Sequence, residues 1–168
     1  GTSFPVGKTN FLHLYPLSFK EFLLANDEQM LVDYIEKGNR NIAAFEPRLL
    51  DYLKKYMIIG GMPAVVNEWL DTKDFNKVGL VQKQLIAAYQ KDFSKHAPTQ
   101  MVEKIRYVWN SIPSQLAKEN KKFIYGLVRE GARAKDYETA IMWLSDCGLV
   151  HKVSRVNATG IPLRAYED

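Results

Sequence analysis

The sequence predicts a mostly α chain, a helical bundle followed by a winged helix-turn-helix with a small β-hairpin. Three observations predict it. Apolar residues recur at helical spacing from Leu49 to Met57 and again from Val78 to Phe93. Ala97-Pro98 interrupts that pattern near the middle of the chain, because proline disfavours helical backbone in the residue before it. Beyond it the order becomes helix, short helix, helix, and then two extended runs flanking Asn157-Ala158-Thr159-Gly160. The expected division is residues 1–97, an extended leading segment plus the bundle, and residues 98–168, the winged helix.

Each element has its own signal. Pro5 and the apolar neighbours of His13 make Phe4 to Tyr15 read as extended. Ser18-Phe19-Lys20-Glu21 is a capping box opening a short helix through Leu24. Asp27 is the expected cap of a second helix, Glu28 to Lys37, closed by Gly38-Asn39. Leu49, Leu50, Leu53, Tyr56 and Met57 define a third helix from Pro47, with proline in its first turn. Ile58-Ile59-Gly60-Gly61-Met62-Pro63 breaks it, and Pro63 starts another to about Leu70. Asp74 caps the longest helix, with Val78, Val81, Leu85, Ala88, Tyr89 and Phe93 on one face and Gln82, Lys83, Gln90 and Lys91 opposite. In the second half Met101, Ile105, Val108 and Ile112 form a stripe that Leu116 continues past Pro113. Phe123, Ile124, Leu127 and Val128 form a short apolar piece. Tyr137, Ala140, Ile141 and Leu144 share a face of a last helix that Gly148 ends, before strands over Leu149 to Val156 and Ile161 to Tyr166.

Composition narrows the class. The chain has 168 residues, 46% apolar and 25% charged, enough to bury a core without staples. The single cysteine, Cys147, cannot form an internal disulfide, so a reducing, cytoplasmic setting is expected. No run approaches the roughly 20 apolar residues that span a bilayer, so no membrane partner is expected. Gly1-Thr2-Ser3-Phe4-Pro5 has no basic leader and no initiator Met, and the chain reads as cut from something longer. Net charge is +4, with 12 basic and 11 acidic residues before Ala97 and 11 and 8 from it on. That balance permits a nucleic-acid partner without demanding one.

Catalytic signals are weak. Gly7-Lys8-Thr9 lacks the preceding strand and the earlier glycine of a phosphate loop. His13, His96 and His151 are spaced too far apart for a metal, and no metal site or cofactor is expected in the chain itself. Asp33 with Glu36 and Asp136 with Glu138 show no acid–base pairing. Cys147 and His151, four residues apart, leave open a small cysteine hydrolase, against the plainer reading of a core cysteine. Trp69, Trp109 and Trp143 read as packing residues rather than as base-stacking platforms.

The basic residues carry the functional expectation. Lys118, Lys121, Lys122, Arg129, Arg133 and Lys135 surround the helix-turn-helix, and Lys152, Arg155 and Arg164 fall in the expected wing. Of these, Lys121, Lys122, Arg129, Arg133, Lys135, Lys152 and Arg155 are the candidate nucleic-acid contacts. The outward face of the last helix would carry Lys135, Glu138, Thr139, Met142 and Asp146, and its two acids oppose phosphate. A winged helix used for docking protein is therefore the plainer reading of the same surface.

Several stretches occur together: Phe4-Pro5-Val6-Gly7-Lys8, Leu14-Tyr15-Pro16-Leu17-Ser18-Phe19-Lys20-Glu21-Phe22-Leu23, Gly60-Gly61-Met62-Pro63-Ala64-Val65-Val66 and Tyr89-Gln90-Lys91-Asp92-Phe93. Ile112-Pro113-Ser114-Gln115-Leu116-Ala117-Lys118-Glu119-Asn120, Lys122-Phe123, Ala134-Lys135-Asp136-Tyr137-Glu138, Trp143-Leu144 and Gly148-Leu149-Val150 follow in order. Together they resemble the predicted bacterial and archaeal AAA-type ATPases that carry a C-terminal domain of unknown function. The resemblance implies a longer parent whose P-loop ATPase core, with its ATP and Mg, precedes this region and whose nuclease-like part follows it. It carries over no catalytic residue. It implies a lid-like bundle and a winged helix, a non-catalytic coupling or interaction module that contacts the ATPase domain, a protein partner or DNA. A stand-alone, dimeric DNA-binding regulator is the alternative.

Overall fold

Most helix ends in this chain fall where the sequence supplies a physical reason for them. The computed structural model describes residues 12, 14–38, 45–119, 122–156 and 160–161. These hold α1 (Phe19–Ala25), α2 (Gln29–Lys37), α3 (Glu46–Ile59), α4 (Pro63–Thr72), α5 (Phe75–His96), α6 (Thr99–Leu116) and α7 (Ala134–Asp146), with a 3-10 turn at Tyr125–Leu127. The mostly α expectation holds. The chain divides into two compact units, Gly1–Ile86 and Ala87–Asp168, and α5 contributes residues to both. Ala97-Pro98 is the break between α5 and α6.

In the first unit the capping box of α1 forms as expected. Ser18 N–H donates to Glu21 Oε2 at 2.7 Å and Glu21 N–H to Ser18 Oγ at 3.4 Å. The bond from the Ser18 backbone, then that from its hydroxyl, holds the Glu21 carboxyl below its ordinary value. Asp27 does not cap α2, and the reason lies at the other end of α1. Asp27 adopts a left-handed φ of 61°. Its N–H donates to Leu24 O, and Glu28 N–H donates to Leu23 O, both at 3.0 Å. That bond pair is a Schellman closure of α1, which short polar side chains tolerate at the left-handed position. Asp27 thus ends one helix instead of starting the next.

Glu28 is buried, and its carboxylate accepts from Arg48 Nη2 at 2.6 Å and Nε at 3.2 Å. Burial acts to raise the Glu28 pKa, but the hydrogen bonds from Tyr52 and Arg48 and the charges of Arg48 and Lys55 outweigh it. The carboxyl is held below its ordinary value. The contact ties the α1–α2 corner to α3. Around it Leu23, Leu31 and Val32 form one buried cluster, and Phe22, Ile59, Val65, Val66, Trp69 and Val78 form the larger one.

The Gly60-Gly61 break between α3 and α4 uses each glycine differently. Gly60 has φ 76° and ψ −170°, a conformation essentially confined to glycine. Gly61 is needed for space. A Cβ placed there would lie 2.1 Å from Leu17 O, because Leu17 N–H donates to Gly61 O at 2.7 Å. Tyr56 Oη donates to the same Leu17 carbonyl at 2.7 Å. The segment leading into α1 is thereby fastened to the α3–α4 corner. Asp74 caps α5 as the sequence predicts, its Oδ1 accepting from Asn76 N–H at 2.8 Å.

The polar side of α5 is not merely solvated. Gln82 Nε2 donates to the carbonyls of Ile58 and Ile59 at the end of α3, at 2.8 and 3.2 Å. In the second unit Phe93, Ile105, Val108, Val128, Tyr137, Ala140 and Leu144 form the core. Phe93 meets Trp109 and Trp143 edge-on, at centroid distances of 5.3 and 5.9 Å, and Trp69 stacks on Phe75 at 4.7 Å. All three tryptophans are packing residues. Leu116 does not continue the α6 stripe. It is 65% exposed, and the buried positions beyond Val108 are Ser111 and Gln115. α7 closes on Gly148 at φ 70°, with Leu149 N–H to Leu144 O and Gly148 N–H to Ser145 O, a second Schellman pair.

No β-strand occurs among the described residues. The expected strand over Leu149 to Val156 is non-helical chain with a single bridge at Val156, and Leu149 and Val150 pack on the core instead. Residues 162–166 of the expected return strand, the Gly7-Lys8-Thr9 motif and His13 lie outside the described residues.

Gly61→Ala is expected to destabilise the protein by about 1–3 kcal/mol, the usual range for a methyl forced into a packed backbone contact, read as a lower urea midpoint. Glu28→Gln is expected to cost about 1–2 kcal/mol at pH 7, since solvent screens the half-exposed Arg48. Because the folded carboxyl titrates below its unfolded value, its contribution is complete above the unfolded pKa and disappears as pH falls through the folded one. Urea midpoints measured from pH 7 to pH 3 should therefore converge for Glu28→Gln and the parent chain.

Candidate nucleic-acid interface

The link between α6 and α7 is set by one side chain. Gln115 is buried, its Nε2 donates to Ile124 O at 2.8 Å, and its Oε1 accepts from Ile124 N–H at 2.9 Å. The side chain pairs with the Ile124 backbone as a neighbouring strand would. The chain then enters the 3-10 turn Tyr125–Leu127, buries Val128, and turns at Gly131, φ 74°. Arg133 is the residue flanking α7, its N–H donating to Asp136 Oδ2 at 3.3 Å.

This geometry places three of the sequence-predicted cations around the start of α7. Arg129 lies over the Tyr107 ring with its guanidinium carbon 5.8 Å from the centroid. Tyr107 in turn donates its hydroxyl to Glu103 Oε1 at 3.0 Å, a bond that raises the phenol pKa. Arg133 and Lys135 are exposed, and neither they nor Arg129 makes an ion pair among the described residues. Lys118 and Lys122 are exposed on the approach to the turn, while Lys121 lies outside the described residues.

Lys152 and Arg155 are exposed in the non-helical chain after Gly148. They leave from the other end of α7, which at 13 residues is about 20 Å long, and no hydrogen bond or ion pair among the described residues joins them to the first group. Arg164 lies outside the described residues. The exposed face of α7 carries Lys135, Glu138, Thr139, Met142 and Asp146, as the helical spacing predicts. The three cations at the start of α7 stand beside Glu130, Asp136 and Glu138, so the charge there is mixed, and what distinguishes the cations is that none of them is ion-paired among the described residues.

The Cys147–His151 pair gains nothing from the fold. Burial, and then the Asp146 charge, push the thiol pKa up, which disfavours the thiolate that nucleophilic chemistry needs. No hydrogen bond joins the two side chains, and the described residues contain no cluster of three or more His, Cys, Asp or Glu side chains able to hold a metal. Asp33 accepts from Gln29 Nε2 at 2.7 Å, and Glu36 pairs with Lys20 at 3.2 Å, so both serve helix surfaces.

Sequence reasoning missed two sets of residues. Gln115 has no place in the apolar stripe that sequence reading carries on to Leu116; its position three residues after Ile112, at the register of that stripe, was the available signal. Gln90, Lys91, Arg106 and Asn110 line a groove between α5 and α6. Folding the chain about Ala97-Pro98 brings them opposite one another.

Gln115→Ala should cost about 1–3 kcal/mol, the penalty of removing hydrogen bonds from a buried backbone group. Hydrogen exchange at the Ile124 amide should accelerate by at least the same factor as global unfolding.

No helix among the described residues is long and apolar enough to cross a membrane. The chain matches no curated protein and no solved structure. A family model described as a domain of unknown function (DUF8612) matches residues 50–168, and the chain belongs to that family.

Proposed function

We propose that this chain is a non-catalytic coupling and interaction module of an AAA-type ATPase, working in the cytoplasm and contacting DNA through the second unit. In this reading α6, the 3-10 turn and α7 act as a helix-turn-helix, the chain after Gly148 supplies the wing of a winged helix, and ATP with Mg belongs to the parent's ATPase domain. The observation that carries the reading is the placement of Arg129, Arg133 and Lys135, exposed and without carboxylate partners among the described residues, around the start of α7. A helix N-terminus already carries partial positive charge, so cations there repel it and one another. A phosphate bound at that end relieves the repulsion and gains charge-assisted hydrogen bonds. Glu138 and Asp146, farther along the exposed face, confine the contact to that end and leave the rest of α7 to a protein partner.

Fluorescence anisotropy of labelled duplex and single-stranded DNA at two salt concentrations tests this. Binding is expected to weaken steeply with salt. Arg129→Ala combined with Arg133→Ala should lower the salt slope by about 2, one phosphate contact each. No binding at low salt up to about 100 μM protein, the weak end of non-specific DNA affinity, would overturn the DNA reading and leave protein docking as the module's role.

A further inference from the structure

A groove of about 340 Å³ opens between α5 and α6 within the second unit. Ala87, Gln90 and Lys91 line it from α5, and Arg106 and Asn110 from α6. The helices run antiparallel about the Ala97-Pro98 turn, and two side-chain bonds fix their register. Gln90 Nε2 donates to Asn110 Oδ1 at 3.3 Å, and Arg106 Nη2 donates to Ser94 Oγ.

The lining is rich in donors and poor in acceptors. Lysine and arginine side chains only donate. Asn110 already uses its carbonyl oxygen on Gln90, so what it offers a ligand is its NH2 group. Apart from that engaged oxygen, Gln90 Oε1 is the only side-chain acceptor in the lining. No carboxylate lines the groove, and neither Lys91 nor Arg106 makes an ion pair among the described residues. The nearby acids are directed elsewhere. Glu103, one turn before Arg106, accepts the Tyr107 hydroxyl, and Asp92 is set about 100° around the helix from Lys91.

We propose that this groove binds a phosphate oxyanion between Arg106, Lys91 and Asn110. The Ser94 bond holds Arg106 in place, so its planar fork meets two oxygens with little further ordering. Lys91 adds a mobile point charge from the facing helix, and the Asn110 NH2 reaches a third oxygen. Donors converging from two helices suit a tetrahedral anion better than a planar carboxylate, which one guanidinium would satisfy alone. The phosphate can come from a free phosphate ligand or from a polynucleotide backbone. The site shares no residue with the cations at the start of α7 and does not rest on the DNA reading.

The test is NMR on the 168-residue chain, following the Gln90 and Asn110 side-chain amides and the Arg106 Nε–H. One titration uses inorganic tripolyphosphate, the other an oligothymidylate of about 12 nucleotides. Tripolyphosphate is expected to shift these signals. Arg106→Gln and Lys91→Gln should each weaken it about three- to tenfold, and Arg106→Lys, which keeps the charge and loses the fork, should fall between. Both side chains are exposed, so the variants should fold, as circular dichroism will report. An oligothymidylate that moves the same signals, and is weakened by the same variants, supports the site with a polynucleotide source. Movement with tripolyphosphate alone supports it with a free phosphate ligand. No movement up to about 10 mM tripolyphosphate, or unchanged affinity in both charge-removing variants, overturns the proposal. Oligothymidylate binding that shifts only signals near Arg129 and Arg133, with tripolyphosphate leaving the groove signals unmoved, overturns it as well, while leaving the α7 reading standing.

Discussion

The candidate interface depends on a bond pair that is not part of any helix or sheet. Gln115 presents an amide to the Ile124 backbone and satisfies its donor and acceptor together. Between α6 and α7 Val128 is the one buried apolar side chain among the described residues, with Phe123, Tyr125 and Ala132 partly buried against the core, and hydrophobic packing of this kind does not fix register. Without Gln115 the Ile124 N–H and C=O would need water in a partly buried place, and the chain leading to Arg129 and Arg133 would lose its fixed starting point. A glutamine with both ends used is specific in a way an apolar residue is not. It fixes register as well as distance, because donor must face acceptor.

The first unit solves the same difficulty by removing a side chain. Leu17 precedes the capping box of α1 and needs backbone partners that no helix supplies. It finds them at Gly61 and Tyr56. The approach at Gly61 is closer than any Cβ permits. The Gly60-Gly61-Met62-Pro63 run therefore combines separate requirements: an unusual backbone angle at Gly60, bare space at Gly61, and a fixed helix start at Pro63. The buried Glu28–Arg48 pair completes the arrangement by tying the α1–α2 corner to α3. Its partners are unequal, Arg48 being half-exposed and Glu28 not, so the pair avoids most of the desolvation that makes fully buried ion pairs weak.

What the sequence made legible follows from the range of the forces involved. Helices, their proline starts, the Asp74 and Ser18 caps and the Gly148 end are set within a few residues, and all appear close to where the pattern places them. Asp27 shows the limit of such local rules. Its residue type suits a helix start and also a left-handed helix end, and the sequence cannot say which until Leu23 and Leu24 offer their carbonyls. Leu116 and Gln115 show another. Periodicity continues an apolar stripe one residue too far, because burial at the end of α6 is decided by the returning chain at Ile124. The exposed face of α7 was readable because helical spacing alone fixes it. The groove was not, because Gln90 meets Asn110 only when α5 and α6 pack side by side.

The two basic surfaces of the second unit differ in what holds them positive. Around the start of α7 the cations add to the helix's own field, and Asp136 offsets part of it by accepting the Arg133 N–H. Glu138 follows on the exposed face, so an anion there meets attraction at the helix end and repulsion a turn later. Between α5 and α6 the field comes from two side chains on separate helices, with neutral amides filling the remaining wall. Neutral donors cost little when empty, since water satisfies them, and they do not repel an arriving anion as a carboxylate would. The first surface carries three cations, Arg129, Arg133 and Lys135, interleaved with Glu130, Asp136 and Glu138. For a single oxyanion the second offers donors converging from two sides, with Arg106 already held by Ser94.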